Sequence, residues 1–163
     1  MNAIMYTMHL AKEPFKFSCS HFTILSPTRA ERLHGHNYQV RVEIDVQKLD
    51  PQLGLAFDFN RIKPLVRDFC ESLDERILLP ANSPFLKLTT KEGQTEAVFG
   101  NKRYSFPEED TRVLPLANIS AEELARFAGE RLTQEIRSLP DWTSLRVNVE
   151  ETRGQSVSYT RAR

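Results

Sequence analysis

The sequence predicts a single α+β domain over residues 1–163, with two strands at its start, two helices in the middle and two strands at its end. Apolar side chains alternate at residues 15–21 and 34–44, which is typical of strands with one buried face. Around residues 61–73 and 120–136, apolar side chains instead recur at helical spacing. A chain of 163 residues can bury a substantial core without disulfide bonds.

The first two predicted strands carry unexpected side chains on their buried faces. The inward positions of the first strand are Phe15, Phe17, Cys19 and His21. After a polar loop, "SPTRAER", the even positions 34–44 of the second strand read His, His, Tyr, Val, Val and Ile. A core would normally take Val or Ile at such positions, so the histidines need an explanation.

The middle of the chain contains one predicted helix and one irregular segment. The stretch "DPQLGLAFDFN" predicts a turn followed by short extended structure, and a helix is expected from about residue 61 to 73. Residues 80–117 hold four of the nine prolines and include a predicted hairpin around Gly100 and Asn101. We interpret residues 80–117 as an insertion that forms either a lid or an oligomer contact.

The second helix has the clearest start signal in the sequence. Ser120 can cap it with Glu123 three residues later, and Ile119 can pack against Leu124. The helix should end before Pro140. A strand over "LRVNVEE" and a shorter partner strand through residues 157–159 are predicted to follow.

Composition excludes several classes of protein. Lys plus Arg and Asp plus Glu are both 22, and a protein that binds nucleic acid phosphates usually has a basic excess. No apolar run approaches the roughly 20 residues that span a bilayer, and the start lacks the features of a signal peptide. The two cysteines, Cys19 and Cys70, predict reduced thiols rather than a disulfide framework. We therefore expect a cytoplasmic protein with no nucleic acid or membrane partner.

Three of the four histidines form a candidate metal site. His34 and His36 lie two residues apart on one strand, so both side chains project from the same face. His21 ends the inward row of the first strand, and the three imidazoles converge if the strands are neighbours. Three histidines with one open position are typical of catalytic zinc. The alternative is three hydrogen-bonded structural histidines, which is the reading we prefer for His9.

Glu151 is the other anomaly, because it continues the buried row of the last long strand. Burying a carboxylate without a partner costs several kcal/mol, so this side chain should either reach water or meet a cationic or multi-donor partner. The N–H edge of a pterin or guanine is a partner of that kind. The sequence leaves both interpretations open.

The motifs "FSCSHF", "LHGHNYQVRVEI", "LDERILL", "SAEELA" and "VEETRG" resemble, in order, those of the 6-pyruvoyltetrahydropterin and 6-carboxytetrahydropterin synthase family. The resemblance covers nearly the whole chain apart from residues 80–117. It implies a T-fold, an antiparallel four-stranded sheet with two helices on one face. It also implies a homo-oligomer, a trimer or hexamer whose sheets form a β-barrel, with one zinc in each active site at a subunit interface.

The resemblance also implies roles for individual residues. His21, His34 and His36 match the zinc ligands of the family. Glu151 matches the carboxylate that anchors the pterin, and Thr152 lies beside it. Ser120 and Glu122 match two further positions near the pterin. Asp74 matches the Asp of an Asp-His pair that takes part in proton transfer.

Two departures from the family pattern concern catalysis. The loop before His34 lacks the usual catalytic Cys, and Glu75 stands where the His of the Asp-His pair is expected. The motif resembles a subgroup that reads E-x-L-H-G-H-N-Y, in which Glu31 takes the place of the Cys. That resemblance implies cleavage of the side chain of 7,8-dihydroneopterin triphosphate to give 6-hydroxymethyl-dihydropterin. Glu31 would be the general base, and Asp74 and Glu75 would donate a proton to the leaving fragment.

Two other functions stay open at this point. One is 6-carboxytetrahydropterin synthase activity for 7-deazaguanine synthesis, against which the missing loop Cys counts. The other is a non-catalytic pterin- or purine-binding protein, which the replacement of the His by Glu75 favours. Cys19 and Cys70 are poor candidates for the reactive group, because reactive thiols are partly exposed in electropositive surroundings.

Overall fold

The computed structural model describes residues 5–163, and its main feature is a seven-stranded sheet with two helices packed against one face. The helices are α1 (Lys63–Glu71) and α2 (Ala121–Glu135). The strands are β1 (Tyr6–Leu10), β2 (Lys16–His21), β3 (Ile24–Ser26), β4 (Arg29–Ala30), β5 (His34–Val46), β6 (Arg76–Pro80), β7 (Lys87–Lys91), β8 (Gln94–Phe99), β9 (Lys102–Pro107), β10 (Thr111–Leu114), β11 (Trp142–Thr152) and β12 (Gln155–Ala162).

The four predicted strands form the centre of this sheet. They lie in the order β2-β5-β11-β12. They pair antiparallel, as the family resemblance implied. The expectation of only four strands is wrong, because the sheet also includes β1, β6 and β10. The strand β6 runs parallel to both β2 and β10, so the sheet is mixed. The short apolar run of β6, Ile77–Leu79, shows no alternation, and such a run gives no reliable signal of a strand.

The core lies between the inward side chains of the sheet and the two helices. Helix α1 is preceded by a short 3-10 helix, Phe59–Arg61, which Asp58 caps by accepting from the Asn60 N–H. The segment before α1 therefore contains turns and a 3-10 helix, and the prediction of extended structure there is wrong. Helix α2 begins as predicted, with the Ser120 hydroxyl accepting from the Glu123 N–H at 3.4 Å.

Within residues 80–117, strands β7 to β9 form a second, smaller sheet, and β10 joins the main sheet. Strands β7, β8 and β9 pair antiparallel, and the predicted hairpin turns at Gly100, where φ is +56°. This sheet covers a separate apolar cluster, here called the second core, whose buried members are Phe22, Leu79, Leu86, Ala97 and Phe99. The predicted polar loop before His34 is partly ordered as the β3–β4 ribbon, which contacts the same cluster.

Within residues 5–163, neither helix combines the length and apolarity needed to cross a bilayer.

Candidate functional site

The predicted histidine cluster is present in the structure. Strands β2 and β5 pair with His21 directly opposite His34, and His36 follows two residues later on the same face. The ring centroids are 4.8 Å apart for His21 and His34, 5.4 Å for His21 and His36, and 4.8 Å for His34 and His36. One ring nitrogen from each histidine lies within 4.8 Å of the other two.

Backbone carbonyls fix the protons on two of these rings. The Nδ1 of His21 lies 3.1 Å from the Ile119 carbonyl oxygen, and that of His34 lies 2.7 Å from the Arg32 carbonyl oxygen. Because a carbonyl only accepts, each Nδ1 carries the hydrogen and each neutral ring presents the lone pair of Nε2. Burial lowers the pKa of His21, which favours the neutral form that can bind a metal.

The donor set fits a small divalent cation such as zinc. Two zinc-bound nitrogens in a tetrahedral site are about 3.3 Å apart. The Nε2 atoms of His34 and His36 are 3.0 Å apart, close to that separation. Zinc also commonly takes histidines whose other ring nitrogen donates to a backbone carbonyl, as in His21 and His34.

Glu151 meets a hydrogen-bond donor beside the histidines, so it does more than reach water. The Tyr38 hydroxyl donates to Glu151 Oε1 at 2.6 Å and lies 3.1 Å from the Nε2 of His21. Glu151 Oε1 is 3.7 Å from the Nε2 of both His21 and His36. Its side chain keeps 27% exposure, so the other oxygen can accept from a ligand. Burial and the hydrogen bond to Glu151 raise the pKa of Tyr38, which keeps the hydroxyl protonated.

Tyr38 was not predicted as a site residue, although the pattern contained a signal. It continues the inward row of His34 and His36 on β5, and it is fully buried. A buried tyrosine hydroxyl needs a hydrogen-bond partner, and at this level of the sheet only polar inward side chains can supply one. That reasoning would have joined Tyr38 to the histidines and Glu151.

Glu31 lies at the edge of the histidine cluster. Its Oε2 accepts from the Thr23 N–H at 3.2 Å and is 3.9 Å from the Nε2 of His34. Partial burial by itself would raise the pKa of Glu31, because it disfavours the charged carboxylate. The hydrogen bonds from Thr23 and the nearby His34 have the larger, opposite effect, so the pKa of Glu31 is lowered. The carboxylate is therefore ionised at neutral pH and can accept a proton.

One cavity of about 450 Å³ brings three of the predicted site residues together, Glu31, Ser120 and Glu151. Glu31 and Glu151 line it, together with Ser120 and Glu122 at the start of α2. Thr152 is not among the lining residues, and its hydroxyl donates to Gln155 Oε1 at 2.8 Å. The cavity thus combines two carboxylates with the N-terminal turn of a helix, next to the histidines.

Asp74 and Glu75 lie elsewhere in the chain. Asp74 Oδ1 accepts from the Ser18 N–H at 2.7 Å. Glu75 lines a different cavity, of about 550 Å³, which Ser18, Asn37 and His36 of the histidine cluster also line. Within one chain, therefore, the structure does not bring Asp74 and Glu75 to the cavity that contains Glu31.

The two thiols are buried and free. Burial, assisted by Glu151 and Asp74, raises the pKa of Cys19 to about 12, and burial likewise raises that of Cys70 to about 12. Both stay protonated at neutral pH, which supports the prediction that neither is the reactive group.

Comparison with known proteins adds to this geometry. The model of the 6-pyruvoyl tetrahydropterin synthase family matches residues 9–162. The chain belongs to this family.

Relatives carry two different names. The putative 6-carboxy-5,6,7,8-tetrahydropterin synthase of Methanocaldococcus jannaschii is 28% identical over 148 residues, which cover 88% of each chain. The 6-carboxy-5,6,7,8-tetrahydropterin synthase of Haemophilus influenzae is 28% identical over 130 residues, covering 76% of this chain and 80% of the relative. The crystal structure of Plasmodium vivax 6-pyruvoyl tetrahydropterin synthase matches with a TM-score of 0.91 at 28% identity, covering 98% of this chain and 99% of that one.

The family assignment supports the T-fold that the motifs implied, and it supports a pterin synthase-type enzyme. Two further structures with similar folds are described as catalytic-residue mutants of the Plasmodium vivax enzyme, in which a glutamate is replaced by alanine or by cysteine. Their TM-scores are 0.90 and 0.91, each at 27% identity.

Proposed function

We propose that this member of the 6-pyruvoyl tetrahydropterin synthase family is a zinc-dependent lyase. Its substrate would be 7,8-dihydroneopterin triphosphate, and cleavage of the side chain would give 6-hydroxymethyl-dihydropterin. One observation carries the proposal. A carboxylate, Glu31, rather than a thiol, lies 3.9 Å from the histidine cluster and shares a cavity with Glu151.

His21, His34 and His36 are the residues that would hold the metal. Three neutral imidazoles leave a coordination position for the substrate. When bound, zinc supplies Lewis-acid catalysis, making coordinated hydroxyl groups more acidic.

Glu151 would hold the pterin ring. A carboxylate can accept two parallel N–H donors, and the pterin edge presents such a pair. Tyr38 donates to Oε1 of the same carboxylate and so orients it. Ser120 and Glu122, which line the same cavity, would contact the remainder of the ring.

Glu31 would act as the general base. It removes the proton of a side-chain hydroxyl, whose oxygen becomes a carbonyl as the adjacent C–C bond breaks. The electron pair passes to the carbon that stays on the pterin, so that carbon, and not the leaving fragment as expected from the sequence, takes up a proton. Asp74 and Glu75 of a neighbouring subunit are the proposed donors, because in one chain they lie apart from Glu31.

The mutant structures of the Plasmodium vivax enzyme support this role by analogy. They are described as variants of a catalytic residue, and that residue is a glutamate. A family member with catalytic glutamate is what the E-x-L-H-G-H-N-Y motif implies for this chain.

Replacing Glu31 tests the proposal. Glu31→Gln keeps the size of the side chain but cannot accept a proton, so kcat with 7,8-dihydroneopterin triphosphate should fall by about 10²–10⁴. Zinc content and pterin affinity should not change. Glu135→Gln, an exposed change on α2, is the matched control. Turnover by Glu31→Gln at the wild-type rate would place the base elsewhere, and Asp74 would be the next residue to replace.

The second candidate function is 6-carboxytetrahydropterin synthase activity. The names of the Methanocaldococcus jannaschii and Haemophilus influenzae relatives favour it. The loop before His34 counts against it, because it offers Glu31 where that reaction in the family uses a Cys. The two functions give products of different mass.

A further inference from the structure

The small sheet of β7, β8 and β9 packs against the loop that carries Glu31. Ala30 and Leu33, on either side of Glu31 and Arg32, contact the second core. Tyr104 of β9 stacks on Phe22 with ring centroids 5.4 Å apart. Phe22 directly follows His21. The second core therefore joins three parts of the molecule: the hairpin of β8 and β9, the Glu31 loop and the end of β2.

Lys102, the first residue of β9, makes the polar contact between the hairpin and the loop. Its ammonium group donates to the carbonyl oxygen of Ala30 at 3.2 Å and to that of Glu31 at 3.4 Å. These two carbonyls belong to the peptide planes on either side of the Glu31 Cα. Fixing both planes fixes the direction in which the Glu31 side chain leaves the backbone. Hydrogen bonds from a charged donor are stronger than those between neutral groups.

Thr23 holds the other side of the same loop. The Glu31 N–H donates to the Thr23 carbonyl oxygen at 3.0 Å, and the Thr23 N–H donates to Glu31 Oε2 at 3.2 Å. Thr23 lies two residues after His21. Glu31 is thus held between a backbone segment that follows a histidine of the cluster and a lysine from the hairpin.

We propose that Lys102 is a positioning residue that holds the Glu31 carboxylate at the histidine cluster, and that the β7–β9 sheet serves as its support. This inference rests on the proposed role of Glu31 as general base. Lys102 acts only through the loop backbone and touches neither the substrate nor the metal. The segment 80–117 then has a function inside its own chain, beyond the lid or oligomer contact that the sequence suggested.

Kinetics of Lys102 variants test the proposal. Lys102→Met keeps the apolar stem and removes the ammonium group, so kcat should fall by about 10- to 100-fold, because small misplacements of a catalytic group have effects of that size. KM should stay within about twofold, and Lys102→Arg should recover part of the loss.

In a Glu31→Gln background, Lys102→Met should have almost no further effect, because the base it positions is already absent. Lys87→Met, an exposed change on β7, is the matched control.

Hydrogen exchange gives a readout that does not depend on turnover. The Glu31 amide should exchange about tenfold faster in Lys102→Met than in the wild type, while amides of β11 stay unchanged. Unchanged kcat, a rise in KM alone, or an equal loss in the Glu31→Gln background would each overturn the proposal. If the wild type turns over no pterin, the proposed function fails, and exchange at Glu31 alone decides whether Lys102 holds the loop.

Discussion

The histidine cluster depends on backbone acceptors as much as on the rings themselves. The carbonyls of Ile119 and Arg32 set the ring protons of His21 and His34, and both carbonyls belong to irregular segments next to regular elements. These segments are the approach to α2 and the loop before β5. The same two segments supply Ser120 and Glu31 to the cavity, so the metal and substrate parts of the site share their support.

Removing two histidines should remove the metal. Purified wild-type protein should contain about one zinc per chain, because three histidines form one site with an open position. The double variant His34→Ala, His36→Ala should lose it, as measured by elemental analysis after dialysis. His9→Ala is a suitable control, since His9 lies on β1 and pairs with Glu43. Full zinc content in the double variant would show that the ion lies elsewhere.

Glu151 should determine pterin affinity without affecting the metal. Glu151→Gln replaces two acceptor oxygens by one acceptor and one donor, so pterin binding should weaken by about 2–3 kcal/mol. Isothermal titration with a pterin that is not turned over would measure the change. The amide would still fit beside Tyr38, which can accept as well as donate. Unaltered affinity would mean that the second oxygen of Glu151 faces only solvent.

At the scale of residues, the sequence indicated the site where a polar side chain occupies a strand position that normally takes an apolar one. Two histidines on an apolar face and a carboxylate in an apolar row are such contradictions, and the structure brings His21, His34, His36 and Glu151 together. Thr23 and Lys102 could not be found in this way. They act on Glu31 through backbone atoms, and backbone contacts between distant segments have no pattern in the sequence.

At the scale of elements, helix α2 and strand β12 pack closely against each other at a glycine. Gly129 lies in the interior of α2, and a Cβ placed there would overlap the ring of Tyr159 on β12. Glycine in a helix interior costs about 1 kcal/mol relative to alanine, so this close approach must outweigh that cost.

Gly129→Ala should therefore destabilise the protein by about 1–3 kcal/mol in urea unfolding, in spite of the better helix propensity of alanine. Combining it with Tyr159→Val should remove the overlap, and in that background Gly129→Ala should be neutral or stabilising. A stabilising effect of Gly129→Ala alone would contradict the packing described.

The helices and the central strands were predicted correctly because their apolar side chains recur at a regular spacing. Strands β2, β5 and β11 and helices α1 and α2 each bury one face, and a single buried face leaves an alternating or helical pattern. In β12 the alternating residues Val157 and Tyr159 are half-buried against the core. Strand β1 was missed although it has such a pattern, since Tyr6, Met8 and Leu10 alternate with Thr7 and His9. The missed strands β6 and β10 lack the pattern. In β6 three consecutive residues are buried, Leu78–Pro80, and β10 has only four residues.

At the scale of the whole molecule, the site in one chain is incomplete for the proposed reaction. Glu31 and Glu151 line one cavity, and Glu75 lines another with residues of β2 and β5 that include His36. The family resemblance implies active sites at subunit interfaces. An assembly of that kind would allow Asp74 and Glu75 of one subunit to serve the cavity of the next, and periodicity within one sequence carries no information about such contacts.

The identity of the reaction product tests the central claim most directly. The zinc-loaded wild-type protein would be incubated with 7,8-dihydroneopterin triphosphate. The pterin products would then be separated and identified by mass spectrometry. Cleavage with Glu31 as base predicts 6-hydroxymethyl-dihydropterin as the main product, formed by the wild type and lost in Glu31→Gln. A 6-pyruvoyl or 6-carboxy pterin as the main product, or no turnover at all, would contradict the proposed function.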